Sequence, residues 1–81
     1  MLRDEAEMPV IKRFAGFLIA MYFEDHNPPH VHVVTPDSEA FVAIADGEIL
    51  AGSIPAKFRR KALDWIDGNR DMPMRLWKQY Q

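Results

Sequence analysis

All three histidines of the chain stand at positions 26, 30 and 32, within residues 22–36, Tyr-Phe-Glu-Asp-His-Asn-Pro-Pro-His-Val-His-Val-Val-Thr-Pro. His30 and His32 are two residues apart. On a strand that spacing puts both imidazoles on one face with their Cα atoms about 6.5–7 Å apart, close enough to hold one metal ion or to serve as an acid and a base. His26 precedes His30 by four residues, across the paired prolines Pro28 and Pro29. Three imidazoles plus a water form a known catalytic zinc arrangement, and imidazole also suits copper, iron and nickel. His26, His30 and His32 are therefore the candidate ligands for a divalent ion such as zinc, and His30 and His32 the candidate catalytic pair. No fourth ligand is identifiable. Glu24 and Asp25 are adjacent, and neighbouring strand residues point to opposite faces, so they do not make an acid/base pair.

A plainer role competes with these. Asp25 and Asn27 are good turn formers, whose side chains bond their own backbone. Histidines at the start of a strand on the open face of a sheet can be half solvated and do nothing more, and His26 can lock the Pro-Pro bend by bonding loop carbonyls. As a binding surface the stretch offers Asp25, His26 and Asn27. Tyr22, just before the loop, either orients a histidine through its hydroxyl or is simply buried by strand alternation.

The other charged candidates lie elsewhere. Lys57, Arg59, Arg60 and Lys61 put four cations within five residues at the start of a helix, the end at which the helix dipole favours anions. Such a cluster suits nucleic-acid phosphate, with Arg59 and Arg60 joining Arg13 and Lys12 in a basic patch. The alternative is a solvated outer face, partly neutralised by Asp64 four residues after Arg60.

The elements that must position these residues follow from periodicity. Val10 to Phe14 alternates as a strand, Ala15-Gly16 turns, and Phe17 to Phe23 continues as a second strand apolar on both faces, hence central. Glu24 to Pro29 is a loop, because two prolines remove backbone donors and Asn27 before Pro28 is kept out of the helical region. His30 to Thr35 is a strand with His30, His32 and Val34 facing one way. Pro36-Asp37-Ser38 turns into a strand from Glu39 to Ala45. Asp46-Gly47 is a hairpin signal leading to a short edge strand, 48–53. A helix begins near Ser53 or Ile54, with Pro55 in its first turn, and carries Phe58, Ala62, Leu63, Trp65 and Ile66 at helical spacing. Gly68-Asn69 ends it, and Asp71 caps a second helix that buries Leu76, Trp77 and Tyr80. The expected fold is α+β: an antiparallel sheet of four to five strands followed by two C-terminal helices packed on one face.

Composition narrows the classes. With 81 residues and no cysteine, the chain is one domain without a disulfide or a thiolate zinc site. The net charge of −2 exerts no global pull on nucleic acid. The longest apolar run, 17–23, is far below the roughly 20 residues of a membrane helix. No secretory signal opens the chain, and a cytoplasmic location is expected. Residues 1–7 read as a flexible acidic leader to a domain over 8–81, and Met8 as an alternative start.

Two resemblances bear on function. Pro-His-Val-His-Val-Val looks like the active-site strand of the histidine-triad nucleotide hydrolases. The third alternating position here is Val34, and no Gly-rich loop accompanies it, so that activity is set aside. A closer resemblance runs from Met8-Pro9-Val10-Ile11 through Asp25-His26-Asn27-Pro28-Pro29-His30-x-His32 to Gly47-Glu48-x-Leu50-x-Gly52 and Trp65. It is similar to a family of short bacterial proteins catalogued as a domain of unknown function. That resemblance marks residues 25–30 and His32, and implies a toxin–antitoxin-like pairing with a small protein encoded by a neighbouring gene. The function expected is that of a small binding or regulatory protein whose surface lies at residues 25–32. A histidine-dependent enzyme, either a metal-bound hydrolase or a small RNase using His26, His30 and His32, is the alternative. A structural subunit without a site is the third.

Overall fold

The computed structural model describes residues 9–22 and 25–81. Five strands come first, β1 Val10–Phe14, β2 Phe17–Ala20, β3 His30–Val34, β4 Glu39–Ala43 and β5 Ile49–Gly52. The helices α1 Ala56–Gly68 and α2 Asp71–Tyr80 follow. The sheet order is β1-β2-β3-β4-β5, with every neighbouring pair antiparallel. The histidine strand therefore lies at the centre of a meander, as short turns between consecutive strands require. The expected acidic leader, Met8, Phe23 at the end of the second strand and Glu24 fall outside the described residues.

Alternation divides the sheet. Phe17, Ile19, Val31, Val33, Ala40 and Val42 turn to one face, where they form a core with Ala62, Ile66 and Trp77 of the helices. Phe58, Trp65, Met74, Leu76 and Tyr80 pack around that core. Burying each aliphatic side chain of this kind is worth about 1.5–3 kcal/mol, so the amphipathic stripe of each helix selects this sheet face. The opposite face carries Leu18, Ala20, His30, His32, Val34, Glu39 and Phe41 by register.

Three local expectations differ in detail. Pro55, rather than Ser53 or Ile54, takes the N-cap position of α1, and no side chain caps it. Asp71 sits in the first turn of α2 instead of capping it; Arg70 precedes it. There the carboxylate favours the positive end of the helix dipole without bonding the cap. The strands are also shorter at their C-terminal ends than the apolar runs suggested: Met21 and Ile44, both fully buried, lie past β2 and β4 although their backbone N–H groups still donate to the Pro9 and Pro29 carbonyls at 3.1 Å.

The hairpin between β3 and β4 sets the site's register. Thr35 donates its backbone N–H to the Ser38 carbonyl at 2.9 Å, and the Ser38 N–H donates to Thr35 Oγ1 at 2.9 Å. That closed turn places Val34 opposite Glu39 and His32 opposite Phe41.

Candidate histidine–carboxylate centre

His30 and His32 open β3 and project from the sheet face opposite α1, while α2 reaches the start of β3 through Trp77. The sequence suggested half-solvated side chains there; instead they are 4% and 1% exposed. The central position of β3 and the rings stacked around it account for this. Phe41 lies 4.4 Å from the His32 ring and 5.4 Å from His30, centroid to centroid. Tyr22 packs 4.0 Å from His32, and Trp77 reaches His30 at 5.2 Å.

Each imidazole has a fixed outer partner. Nδ1 of His30 donates to the Pro28 carbonyl at 2.8 Å. Nδ1 of His32 donates to Glu39 Oε2 at 2.6 Å, and the same oxygen accepts the Tyr22 hydroxyl at 3.0 Å. Both Nε2 atoms then face one oxygen. Asp25 Oδ2 is 2.8 Å from His32 Nε2 and 3.1 Å from His30 Nε2. The second approach is too misaligned for a hydrogen bond, so His30 Nε2 is a buried polar atom without a hydrogen-bond partner among the described residues. The other Asp25 oxygen, Oδ1, accepts the backbone N–H of His26 at 2.9 Å.

Burial pushes the Asp25 carboxyl up, but the hydrogen bond from His32, the His26 N–H and the nearby His30 and His32 rings outweigh it. The net effect holds Asp25 below its ordinary value.

The candidate residues thus sort by place. Asp25, His30 and His32 converge, each offering one ligand atom, all within 4.8 Å of one another. Exposed His26 lies outside that group and meets it through its backbone N–H. Asn27 is exposed at the loop tip, in a cis peptide bond with Pro28. Tyr22 is both buried and used, acting through Glu39. Arg13 shares the histidine face by its register with Leu18, but lines a groove with Val34, Thr35 and Pro36 one row away. Lys57, Arg59, Arg60 and Lys61 are exposed on α1, which packs on the other sheet face. Arg59 donates to the Ile54 carbonyl at 2.9 Å, and Arg60 meets Asp64 at 3.8 Å with both side chains in solvent.

Sequence reasoning missed Glu39 and Phe41. The signal was present: the Pro36-Asp37-Ser38 turn fixes the hairpin register, which makes Phe41 the direct and Glu39 the diagonal cross-strand neighbour of His32.

The family model described as "Domain of unknown function (DUF4160)" matches residues 16–78. The chain belongs to this family. The matched span contains every residue of the DUF4160 centre just described, from Tyr22 to Trp77. No curated protein and no solved structure matches the chain. Among the described residues of this DUF4160 protein, no helix is long and apolar enough to cross a membrane.

Proposed function

We propose that this DUF4160 domain is a small binding or regulatory protein whose working surface is built on residues 25–32, together with Tyr22, Glu39 and Phe41. The observation that supports this reading is the side-by-side burial of His30 and His32 on the sheet face away from α1. Desolvating two imidazoles costs free energy that valines at the same positions would not. Valines do fill the equivalent positions of the same strand on its other face, Val31 and Val33. The polar pair, its three carboxyl and carbonyl partners and the tyrosine make a preorganised group of the kind binding sites use.

The partner we infer is the small protein encoded by the neighbouring gene, in a toxin–antitoxin-like pair. Phe41 supports a partner at this place: it covers both imidazoles yet remains 36% exposed, and aromatic residues including Phe are enriched at protein interfaces. An enzyme with His30 and His32 as acid and base has less support, because both nitrogens of His32 already face carboxylate oxygens.

Co-expression with the neighbouring gene product tests the reading. Wild-type chain should co-purify with it in a stoichiometric complex, and Phe41→Glu should lose that complex while its circular dichroism stays unchanged. A wild-type chain that elutes alone at micromolar concentrations of both proteins rejects the partner.

A further inference from the structure

The geometry points to a mononuclear site for a divalent first-row transition-metal ion, ligated by His30 Nε2, His32 Nε2 and Asp25 Oδ2. This inference rests on the reading that residues 25–32 form the working surface, and it names what that surface holds.

The first support is tautomeric. A carbonyl oxygen only accepts, so the Pro28 carbonyl requires the proton on Nδ1 of His30. The Glu39 carboxylate requires the same of Nδ1 of His32. In the neutral form of each ring the lone pair is therefore on Nε2, and both Nε2 atoms stand within 3.1 Å of the same Asp25 oxygen. Three electron-rich atoms packed this closely repel unless a cation stands among them.

Protons alone fill that role poorly. A proton on His32 Nε2 would reach Asp25 well, at 2.8 Å. A proton on His30 Nε2 would be a buried donor with a misaligned acceptor, since that atom has no hydrogen-bond partner among the described residues. A metal ion is not bound to the N–H axis geometry of one pair and can satisfy all three atoms from a point between them.

Distances agree. Two ligand atoms at right angles on an ion with bonds of about 2.1 Å lie about 3.0 Å apart. The two nitrogen–oxygen separations here are 2.8 and 3.1 Å. All three ligand atoms lie within 4.8 Å of one another, and two imidazoles with one carboxylate are a known metal donor set that leaves coordination positions open. Nitrogen-rich ligation of this kind favours zinc, iron, cobalt or nickel over magnesium and calcium, which prefer oxygen.

The outer contacts are those of a metal centre. Ligating histidines characteristically donate their other N–H to a carbonyl or carboxylate, which fixes tautomer and orientation. His30 uses the Pro28 carbonyl and His32 uses Glu39, itself held by Tyr22. Asp25 is turned by the His26 N–H on its far oxygen, which leaves Oδ2 for the ion. His26 then has a place in the site without being a ligand.

The test uses full-length protein stripped with a chelator, then titrated with Zn²⁺ by calorimetry and with Co²⁺ by visible absorption, while histidine ring resonances are followed by NMR. One ion should bind per chain, with the Nε2 signals of His30 and His32 moving together and the His26 ring unmoved. Asp25→Asn, a near-isosteric change, should weaken binding at least tenfold. Arg60→Ala, on α1 across the sheet, should leave it unchanged, and Glu39→Gln should weaken it by about 10–100-fold. Uptake only above millimolar metal, or ligation that engages the His26 ring and survives Asp25→Asn, overturns the proposal. Its failure is separable from that of the working surface: a partner complex formed by protein that takes up metal only above millimolar concentration would remove the metal and leave the surface. Metal uptake without any complex would do the reverse.

Discussion

At the scale of residues, the centre is a chain of acceptors and donors with little redundancy. Glu39 Oε2 serves both His32 and Tyr22, so Glu39→Ala removes one hydrogen bond from the buried His32 ring and one from the Tyr22 hydroxyl. We expect a loss of about 1–3 kcal/mol in urea denaturation, and a smaller loss, about 1 kcal/mol, for Tyr22→Phe, which removes only one donor. A double-mutant cycle should show the two coupled. Asp25 gives a pH signature. Its carboxyl is held below the ordinary value, so the unfolded chain binds that proton more readily than the folded one. The stability this contributes is complete above the unfolded-state pKa and is lost as pH falls through the folded one. Asp25→Asn should therefore reduce the steepness of the acid limb in a plot of denaturation midpoint against pH.

At the scale of elements, the site depends on how closely two strands meet. Gly52 closes β5 against the start of β4 with φ +74, and a Cβ there would stand 2.0 Å from the Glu39 carbonyl oxygen. Neither the backbone conformation nor the space admits a side chain. Gly52→Ala should cost at least about 1–3 kcal/mol from backbone strain alone, measured by thermal denaturation. It should also move Glu39, so the His32 ring resonances should shift although Gly52 touches neither imidazole. Gly47, with φ +76 but open space around its Cβ position, offers the control: Gly47→Asn should be milder and leave His32 unchanged.

At the scale of the whole molecule, α2 joins the core to the histidine centre. Trp77 belongs to the core cluster and also packs on His30, and the side chain of Gln81, just past the helix, donates to the Tyr22 carbonyl at 3.1 Å. Trp77→Ala should cost about 3–5 kcal/mol, seen as a lower urea midpoint. In the folded fraction it should leave His30 more exposed, read as faster solvent exchange of its ring. The helix with the basic cluster, α1, stands on the other side of the sheet from the histidines. Charge reversal at Arg60 should therefore leave the histidine resonances in place.

Alternation and turn chemistry, both local, were enough to determine the α+β order of four to five strands and then two helices, the pairing of His30 with His32 on one face, and the packing of Phe58, Trp65, Trp77 and Tyr80 in or against the core. A period of two or of 3.6 can be read from neighbouring residues alone. The composition of the centre could not be read in that way. His26 was grouped with the other imidazoles because residue type is visible in a sequence. The path of a loop through two prolines is not, and it turns the Asp25 carboxylate inward while His26 stays in solvent. Glu39, seven residues from His32, joins the site through strand register, and Trp77 through the packing of a helix forty-five residues further on. Whether the imidazoles were wet or buried also depended on rings from β4, α2 and the segment after β2. Those are long-range contacts, set by the energy of the assembled core, and only the tertiary structure decided them.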